Sequence, residues 1–447
     1  MSTPRVLLAP THRTGLAAAL AAGIAEVIGR QGRQVRFHHL GVLPPASAWD
    51  RWEGASFLDP SLYGDGTLQE LYESTTRGAQ LSLLASSLGL LDANGTGSWT
   101  AAAVARRLDC PVVLVLDCRG WREGLAALVA GFNERLGDLN LAGLILAGVE
   151  GQGHREVLRR ALSGIRAPVV GCLYAGDGPG WDSPAPGPWG LPLAPEMLEA
   201  VHRQVDTAGL EDLAGQRGFL AGAARGMERG GDGPLVLVAG GRGFSPWSRD
   251  SIEVLRAAGA QVRRLDLLED EHLPEETAGL VLAGHLWIDT LSQLAENYSL
   301  MRELRVRIAD GLPTLALGGG MLYLLRRLQD PLGRSFAFAG VLPAEGELLG
   351  DLEEPAYLQV RAERDSLLLA AGETVTGWVT ADAEIIAAPV SRSFPLSVQA
   401  PGWPGPQLEG AATRSLLCSR VLLHLGSRPL LATRFLAACA TYARDSR

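Results

Sequence analysis

Three stretches of this chain have residue types and spacings that bear on chemistry, and each lacks a group the chemistry needs. The first is Pro313-Thr-Leu-Ala-Leu-Gly-Gly-Gly-Met-Leu-Tyr-Leu-Leu325. An apolar run meets three glycines, then apolar residues at helical spacing, which predicts a buried strand, a sharp turn and a helix. Such an elbow holds its apex residue in a strained, exposed pose suited to a nucleophile. Here the apex is Gly318, Gly319 and Gly320, with no nucleophilic side chain. The second is Thr11-His-Arg-Thr-Gly15, between a short apolar strand pattern at Arg5–Pro10 and an alanine-rich helix pattern from Leu16 to Gln31. A phosphate-binding loop needs glycines for close backbone approach, a lysine for the phosphates and a Ser/Thr hydroxyl for magnesium. This loop offers Gly15 and then Leu16 and Ala17, which reads as a plain strand-to-helix turn; Arg13 could still touch an anion. The third is Val421-Leu-Leu-His-Leu425, where His424 stands alone. A cysteine nucleophile needs a neighbouring base, such as a histidine, to form its thiolate. Cys418 and Cys439 lie nearby in sequence but read as core residues, and a lone histidine on an apolar strand reads as structural.

Composition narrows the classes. A chain of 447 residues is too long for one ordinary core and suits two or three α/β domains. It is 47% hydrophobic and 20% charged, a globular balance. Its net charge of -9 argues against a protein that tracks nucleic-acid backbones. It contains no lysine, so no step requiring a lysine ammonium can be its own. Five cysteines without CxxC spacing fit reduced thiols, and a cytoplasmic location is expected. No apolar run approaches the ~20 residues of a spanning helix, so no membrane partner is expected.

These residues need a scaffold, and strand and helix patterns alternate to provide one. Strands are expected at Pro111–Leu116, Leu141–Leu146, Pro168–Gly171, Leu235–Ala239, Gln261–Leu265, Leu280–Ala283 and Val421–Leu425. Helices are expected near Leu68–Ser86, at Ser98–Arg107, Trp121–Leu136, His154–Leu162, 196–213 and Ser248–Ala258, as one amphipathic stretch over Leu291–Asp310, and at Pro429–Ala443. Residues 335–440 read as short strands and turns. The pattern predicts two doubly wound α/β domains, 1–213 and 234–447, joined by a Gly/Arg-rich linker at 214–233.

Laid out in order, the chain resembles the cobyrinic acid a,c-diamide synthase family over nearly its whole length. The matches are Ala103-Val-Ala-Arg-Arg-Leu-Asp-Cys-Pro-Val-Val-Leu-Val-Leu-Asp117, Val129-Ala-Gly-Phe132, Leu141-Ala-Gly-Leu-Ile-Leu146, Phe244-Ser245, Leu294-Ala-Glu-Asn297, Gly311-Leu-Pro313, Gly319-Gly-Met-Leu-Tyr-Leu324 and Gly340-Val-Leu-Pro343. The resemblance implies a P-loop-NTPase-like, dethiobiotin-synthetase-like N-terminal domain. It also implies a flavodoxin-like, class I glutamine-amidotransferase-like C-terminal domain. The departures fall on chemistry. The family's nucleophilic cysteine corresponds to Gly318 and an acid before it to Leu317. Its P-loop lysine and threonine correspond to Leu16 and Ala17. Its acidic segment after the second strand reads Gly41-Val-Leu-Pro44, and its catalytic glutamate segment reads Ala85-Ser-Ser-Leu-Gly-Leu-Leu-Asp92, keeping only Asp92. Its late His-x-His reads Leu422-Leu423-His424, leaving His424 as the residual histidine.

The resemblance with these losses implies a pseudoenzyme that needs neither ATP nor magnesium. It implies a metal-tetrapyrrole or precursor as ligand, and assembly as a homodimer or with an active paralogue. The alternatives are an active ATP- and glutamine-dependent tetrapyrrole amide synthase and an enzyme of altered, for example ammonia-fed, chemistry. In the family, tetrapyrrole carboxylates sit near the phosphates of ATP. Carboxylates want bidentate cations, which here means arginine. The expected ligand-binding residues are therefore Arg13, Arg242, Gly15 and Asp92, with His12, His38, His39 and His285 as candidate axial ligands to a tetrapyrrole's metal. Trp49, Trp52, Trp181, Trp189, Trp287, Trp378 and Trp403 could supply flat aromatic surface. No resident metal site of the protein's own is expected.

Overall fold

The structure is a computed structural model describing residues 3–42, 55–63, 65–176, 195–216, 233–244, 249–387, 394–428 and 430–445. These form two compact units, one of 3–42, 55–60 and 68–216, the other of 61–63, 65–67 and 233–445. Most of the expected linker, 217–232, lies outside the described residues, as do Trp49, Trp52, Trp181, Trp189, Ser245 and Leu43-Pro44.

The first unit contains β1 (Arg5–Pro10), α1 (Leu16–Arg30), β2 (Val35–Leu40), β3 (Ala55–Leu58), α2 (Asp65–Thr76) from Leu68 onward, β4 (Leu81–Ser86), α3 (Ala101–Arg107), β5 (Val112–Asp117), α4 (Leu125–Leu136), β6 (Leu141–Val149), α5 (Gln152–Ala161), β7 (Val169–Tyr174), α6 (Pro195–Gln204) and α7 (Thr207–Ala214). Its seven strands are all parallel, in the order β3-β2-β4-β1-β5-β6-β7. Strand β1 is buried at every position, and its unbroken apolar run is what a strand covered on both faces requires. Even Arg5 is 1% exposed, its guanidinium donating from Nε to the Leu108 carbonyl at 2.6 Å.

Strand β4 corrects the sequence reading, which carries a helix through to Ser86. The apolar positions 81, 83, 84 and 85 fit helical and buried-strand spacing equally, and a run this short cannot decide by periodicity. In the fold β4 lies between β2 and β1 and is wholly buried. That placement makes the C-terminal end of β1 a topological switch point, because its neighbours β4 and β5 lead away in opposite directions.

The second unit contains β8 (Leu235–Gly240), α8 (Arg249–Ala257), β9 (Gln261–Asp266), β10 (Thr277–Gly284), α9 (Leu291–Glu296), α10 (Tyr298–Ala309), β11 (Thr314–Gly318), α11 (Gly319–Tyr323), β12 (Leu325–Gln329), β13 (Ser335–Ala337), β14 (Leu342–Ala362), β15 (Thr374–Ala387), β16 (Leu396–Gln399), β17 (Gln407–Glu409), β18 (Ala411–Ala412), β19 (Leu416–Ser419), β20 (Leu422–Leu423) and α12 (Leu430–Asp445). Its first sheet runs β18-β19-β11-β10-β8-β9, and the strands from β9 to β19 are parallel. Numbered within the sheet, that order is 2-1-3-4-5, the flavodoxin-like arrangement. Both units are thus α/β with parallel sheets, as the sequence predicts.

Three details differ from expectation. The helix expected over Leu291–Asp310 breaks at Asn297, whose side chain caps α10 through the Leu300 N–H at 3.3 Å. The same amide donates to the carbonyls of Leu267 and Asp270, so this break ties the helix pair to the loop after β9. The late strand lies at β19 rather than at 421–425; β20 keeps only two residues against Gly377 and Trp378 of β15. Residues 335–440 contain a long antiparallel pair, β14 and β15, at the centre of a second sheet.

Candidate functional site

The elbow forms where the sequence places it. Strand β11 ends at Gly318, which has φ 61° and ψ -125°, and α11 begins at once. That backbone belongs to the left-handed side of the map, where a Cβ is strained. Space is also lacking. A Cβ on Gly318 would stand 2.6 Å from the Gly284 carbonyl oxygen and 2.9 Å from Leu422 Cδ2. Gly319 and Gly320 are held by contact with β10 and the residues just after it: a Cβ on Gly320 would meet the Leu282 carbonyl oxygen at 1.7 Å, and one on Gly319 the Leu286 nitrogen at 2.6 Å. The turn therefore keeps a nucleophile's backbone pose while Leu422, 3% exposed, fills the space a side chain at 318 would enter.

Beside this apex lies a small cavity of about 20 Å³, lined by His285, Leu286, Gly318, Gly319, Leu322, Leu348, Thr380, Ala381, Ala383 and Arg420. The His285 Nδ1 lies 3.3 Å from the Thr380 hydroxyl, and the ring packs edge-on against Trp287. Arg420 is held by its guanidinium donating to the Ala383 carbonyl and by its backbone N–H donating to Glu409 Oε1 at 2.7 Å.

His424, two residues after Leu422, serves the fold. Its Nδ1 accepts the Gly426 N–H at 2.9 Å, capping the short turn at Leu425–Ser427. Its Nε2 lies 3.5 Å from Asp250 Oδ2 in α8, with both side chains fully buried, and the Tyr63 ring packs 4.8 Å away. A histidine so engaged orients a turn. The thiols offer no displaced nucleophile: Cys418 and Cys439 are fully buried, and burial pushes both thiols well above the ordinary range. In the first unit, burial likewise pushes Cys110 and Cys118 up to about 12.

In the first unit the switch point gathers several of the expected residues. Gly15 is the N-cap of α1 in ordinary helical conformation, and the loop before it is tied by the Thr14 N–H to the Ser87 carbonyl at 2.9 Å. A Cβ on Gly89 would meet Asp92 Oδ2 at 2.3 Å and the His12 Cα at 3.0 Å, so His12 and Asp92 converge on one corner. Asp117, at the end of β5, is occupied by Arg119, whose Nε lies 2.9 Å from Oδ1 and 3.1 Å from Oδ2. Burial raises the Asp117 pKa, but the Arg119 hydrogen bonds and charge outweigh it and hold the carboxyl below its usual range. Neither Asp117 nor Arg119 is singled out by sequence; a carboxylate two residues before an arginine at a strand end is the signal that could have found them.

The candidate axial histidines separate. His12 and Arg13 are exposed in the β1–α1 loop, and Arg242 is exposed after β8. His38 is fully buried within β2, with Nε2 2.9 Å from the Thr75 hydroxyl and Nδ1 3.3 Å from the Ser82 hydroxyl. His39 is 4% exposed, its Nδ1 3.0 Å from the Gly41 carbonyl and its Nε2 2.6 Å from the Ser87 hydroxyl. Burial lowers its pKa to about 4, against the opposing pull of Gly41 and Asp59. His285 is 4% exposed. The rings of His38, His39 and His285 are packed among protein groups, which weighs against their reaching a macrocycle's metal. His38 and His39 are adjacent and face opposite sides of β2, and both are buried because β2 is an interior strand of a parallel sheet covered on both faces. Of the tryptophans named above that are described, Trp287 and Trp378 are buried and Trp403 is 37% exposed. Among the described residues no cluster of three metal-ligating side chains occurs.

Comparison with known proteins follows the same line. The hydrogenobyrinate a,c-diamide synthase of Mycobacterium bovis is 30% identical over 347 residues, which are 72% of this chain and 72% of that protein. This chain belongs to the cobyrinate and hydrogenobyrinate a,c-diamide synthase family. The cobyrinate a,c-diamide synthase of Syntrophotalea carbinolica is 27% identical over 473 residues, covering 98% of this chain and 99% of that one. No family model matches the chain. Among solved structures, a glutamine amidotransferase aligns with 46% of this chain at 19% identity and a TM-score of 0.33. Within the diamide synthase family, then, this chain has glycine at the apex of its elbow, leucine packed against that glycine, and no lysine in the loop after β1.

Proposed function

We propose that this chain is a family member without the amide-forming reaction, a pseudoenzyme that binds an anionic metal-tetrapyrrole or its precursor without converting it, or that serves an active homologue as partner subunit. The observation that carries the reading is the pair Gly318 and Leu422. A thiolate needs a Cβ at 318, and one built there would be crowded by the Gly284 carbonyl oxygen at 2.6 Å and by Leu422 Cδ2 at 2.9 Å. Support from the first unit is independent. Phosphate and magnesium binding need a cationic side chain and a hydroxyl after the loop and an available carboxylate. Here Leu16 and Ala17 follow Gly15, and Asp117 is held by Arg119. ATP and magnesium are therefore not expected as cofactors.

The relatives' names specify cobyrinate and hydrogenobyrinate, polycarboxylate tetrapyrroles, and the ligand class is carried over from them. Arginine is the cation this chain can offer to carboxylates, and Arg13 and Arg242 are exposed on their respective units. His12 is the exposed candidate for an axial bond to the macrocycle's metal. The domains are taken as 1–213 and 234–447, with 214–233 between them. Absorbance titration with sirohydrochlorin, siroheme, haem and a cobyrinic acid tests the binding half. At least one should show a shifted Soret or visible band, weakened by Arg13→Ala or Arg242→Ala. No shift with any of them overturns tetrapyrrole binding. Capture of an active homologue in a pull-down then supports the partner role; a purified chain that binds neither contradicts the whole proposal.

A further inference from the structure

The cavity beside Gly318 has a size that selects its occupant. About 20 Å³ exceeds the roughly 10–15 Å³ that one water molecule needs and falls short of what two would need. The lining is polar on three sides and apolar elsewhere. His285 follows β10, Thr380 belongs to β15 and Arg420 lies between β19 and β20, so the polar groups come from both sheets of the unit. His285 and Thr380 already lie 3.3 Å apart across one wall, and Arg420 is fixed by Ala383 and Glu409. A partly enclosed pocket of this size with two to four polar neighbours can hold one bridging water.

We propose that this cavity is a binding site for one neutral, water-sized hydrogen-bonding molecule, a water that bridges Thr380 to His285 or Arg420 and joins the two sheets behind the elbow. Arg420 is ion-paired with Glu409 at 3.8 Å, so its charge does not choose the occupant and the test is run without ammonium. The site rests on cavity size and lining alone, so it stands or falls separately from the loss of glutamine hydrolysis.

The test is a crystal structure of the full chain at high resolution, grown in ammonium-free buffer, with Thr380→Val and Thr380→Ser alongside. A single density peak within hydrogen-bond reach of the Thr380 hydroxyl is expected in the wild type. It should persist in Thr380→Ser and be lost or displaced in Thr380→Val. No peak in the wild type, a peak seen only with ammonium present, or an unmoved peak in Thr380→Val would overturn the proposal. Thr380→Ser keeps the hydroxyl, so it still reports if the valine variant does not fold.

Discussion

Consider placing a methyl group at the elbow apex. In Gly318→Ala the new Cβ meets three penalties: a backbone at φ 61°, the Gly284 carbonyl oxygen at 2.6 Å and Leu422 Cδ2 at 2.9 Å. Strain at such a φ/ψ costs about 1–3 kcal/mol, and overpacking a buried site about 1–3 kcal/mol more. Together the substitution should destabilise the second unit by about 2–6 kcal/mol. Leu422→Ala alone should cost about 2–5 kcal/mol, as for other buried leucines. The two should not add. With Leu422 trimmed, the Cβ at 318 loses its side-chain clash and keeps only the backbone penalties, so the double variant should recover about 1–2 kcal/mol relative to the sum. Urea unfolding followed by circular dichroism measures this as a double-mutant cycle, taken on the transition that Leu422→Ala itself shifts. Additivity within about 0.3 kcal/mol, or a neutral Gly318→Ala, would refute the idea that Leu422 occupies the nucleophile's place.

Other outcomes follow from the same structure. Calorimetry should find no magnesium-dependent ATP binding, and micromolar binding would contradict the reading of Leu16, Ala17 and the Asp117–Arg119 pair. The Arg434 hydrogen bonds lower the Glu373 pKa to about 2, below the ~4.3 of a free glutamate. A lowered carboxyl pKa contributes stability that is complete above the unfolded value and lost as pH falls through the folded one. Arg434→Ala should therefore lower the urea midpoint at pH 7 and hardly at all at pH 2; an equal shift at both would refute this. Light scattering should give a dimer mass, and a monomer that captures no partner would count against retained assembly. Gly318→Cys alone should release no glutamate from glutamine, because Leu422 stands in place of the family's first late histidine.

The fold was readable where apolar runs were long or flanked by glycine. Strands β5, β6, β8 and β11 and the elbow follow from such runs, and the parallel sheets follow from their alternation with helices. Strand β4 was not readable, because six residues with four apolar positions satisfy two periods at once. Nor was the break at Asn297, since a cap inside an amphipathic stretch shows only when its amide finds the loop carbonyls. At the site, sequence located the empty apex at Gly318 but not what fills it. Leu422 and Gly318 are over a hundred residues apart, and their contact is a property of β20 lying against β11's end. The burial of His38 and His39 was hidden for the same reason: whether a strand histidine faces core or solvent depends on the layers packed on it.

The central claim is that the elbow cannot release ammonia from glutamine. Incubating the purified full chain with glutamine, magnesium-ATP and cobyrinic acid, beside an active diamide synthase, measures this directly as glutamate formed. The account predicts no glutamate above the protein-free control while the active enzyme turns over. Glutamate released by this chain in step with ATP hydrolysis would contradict it.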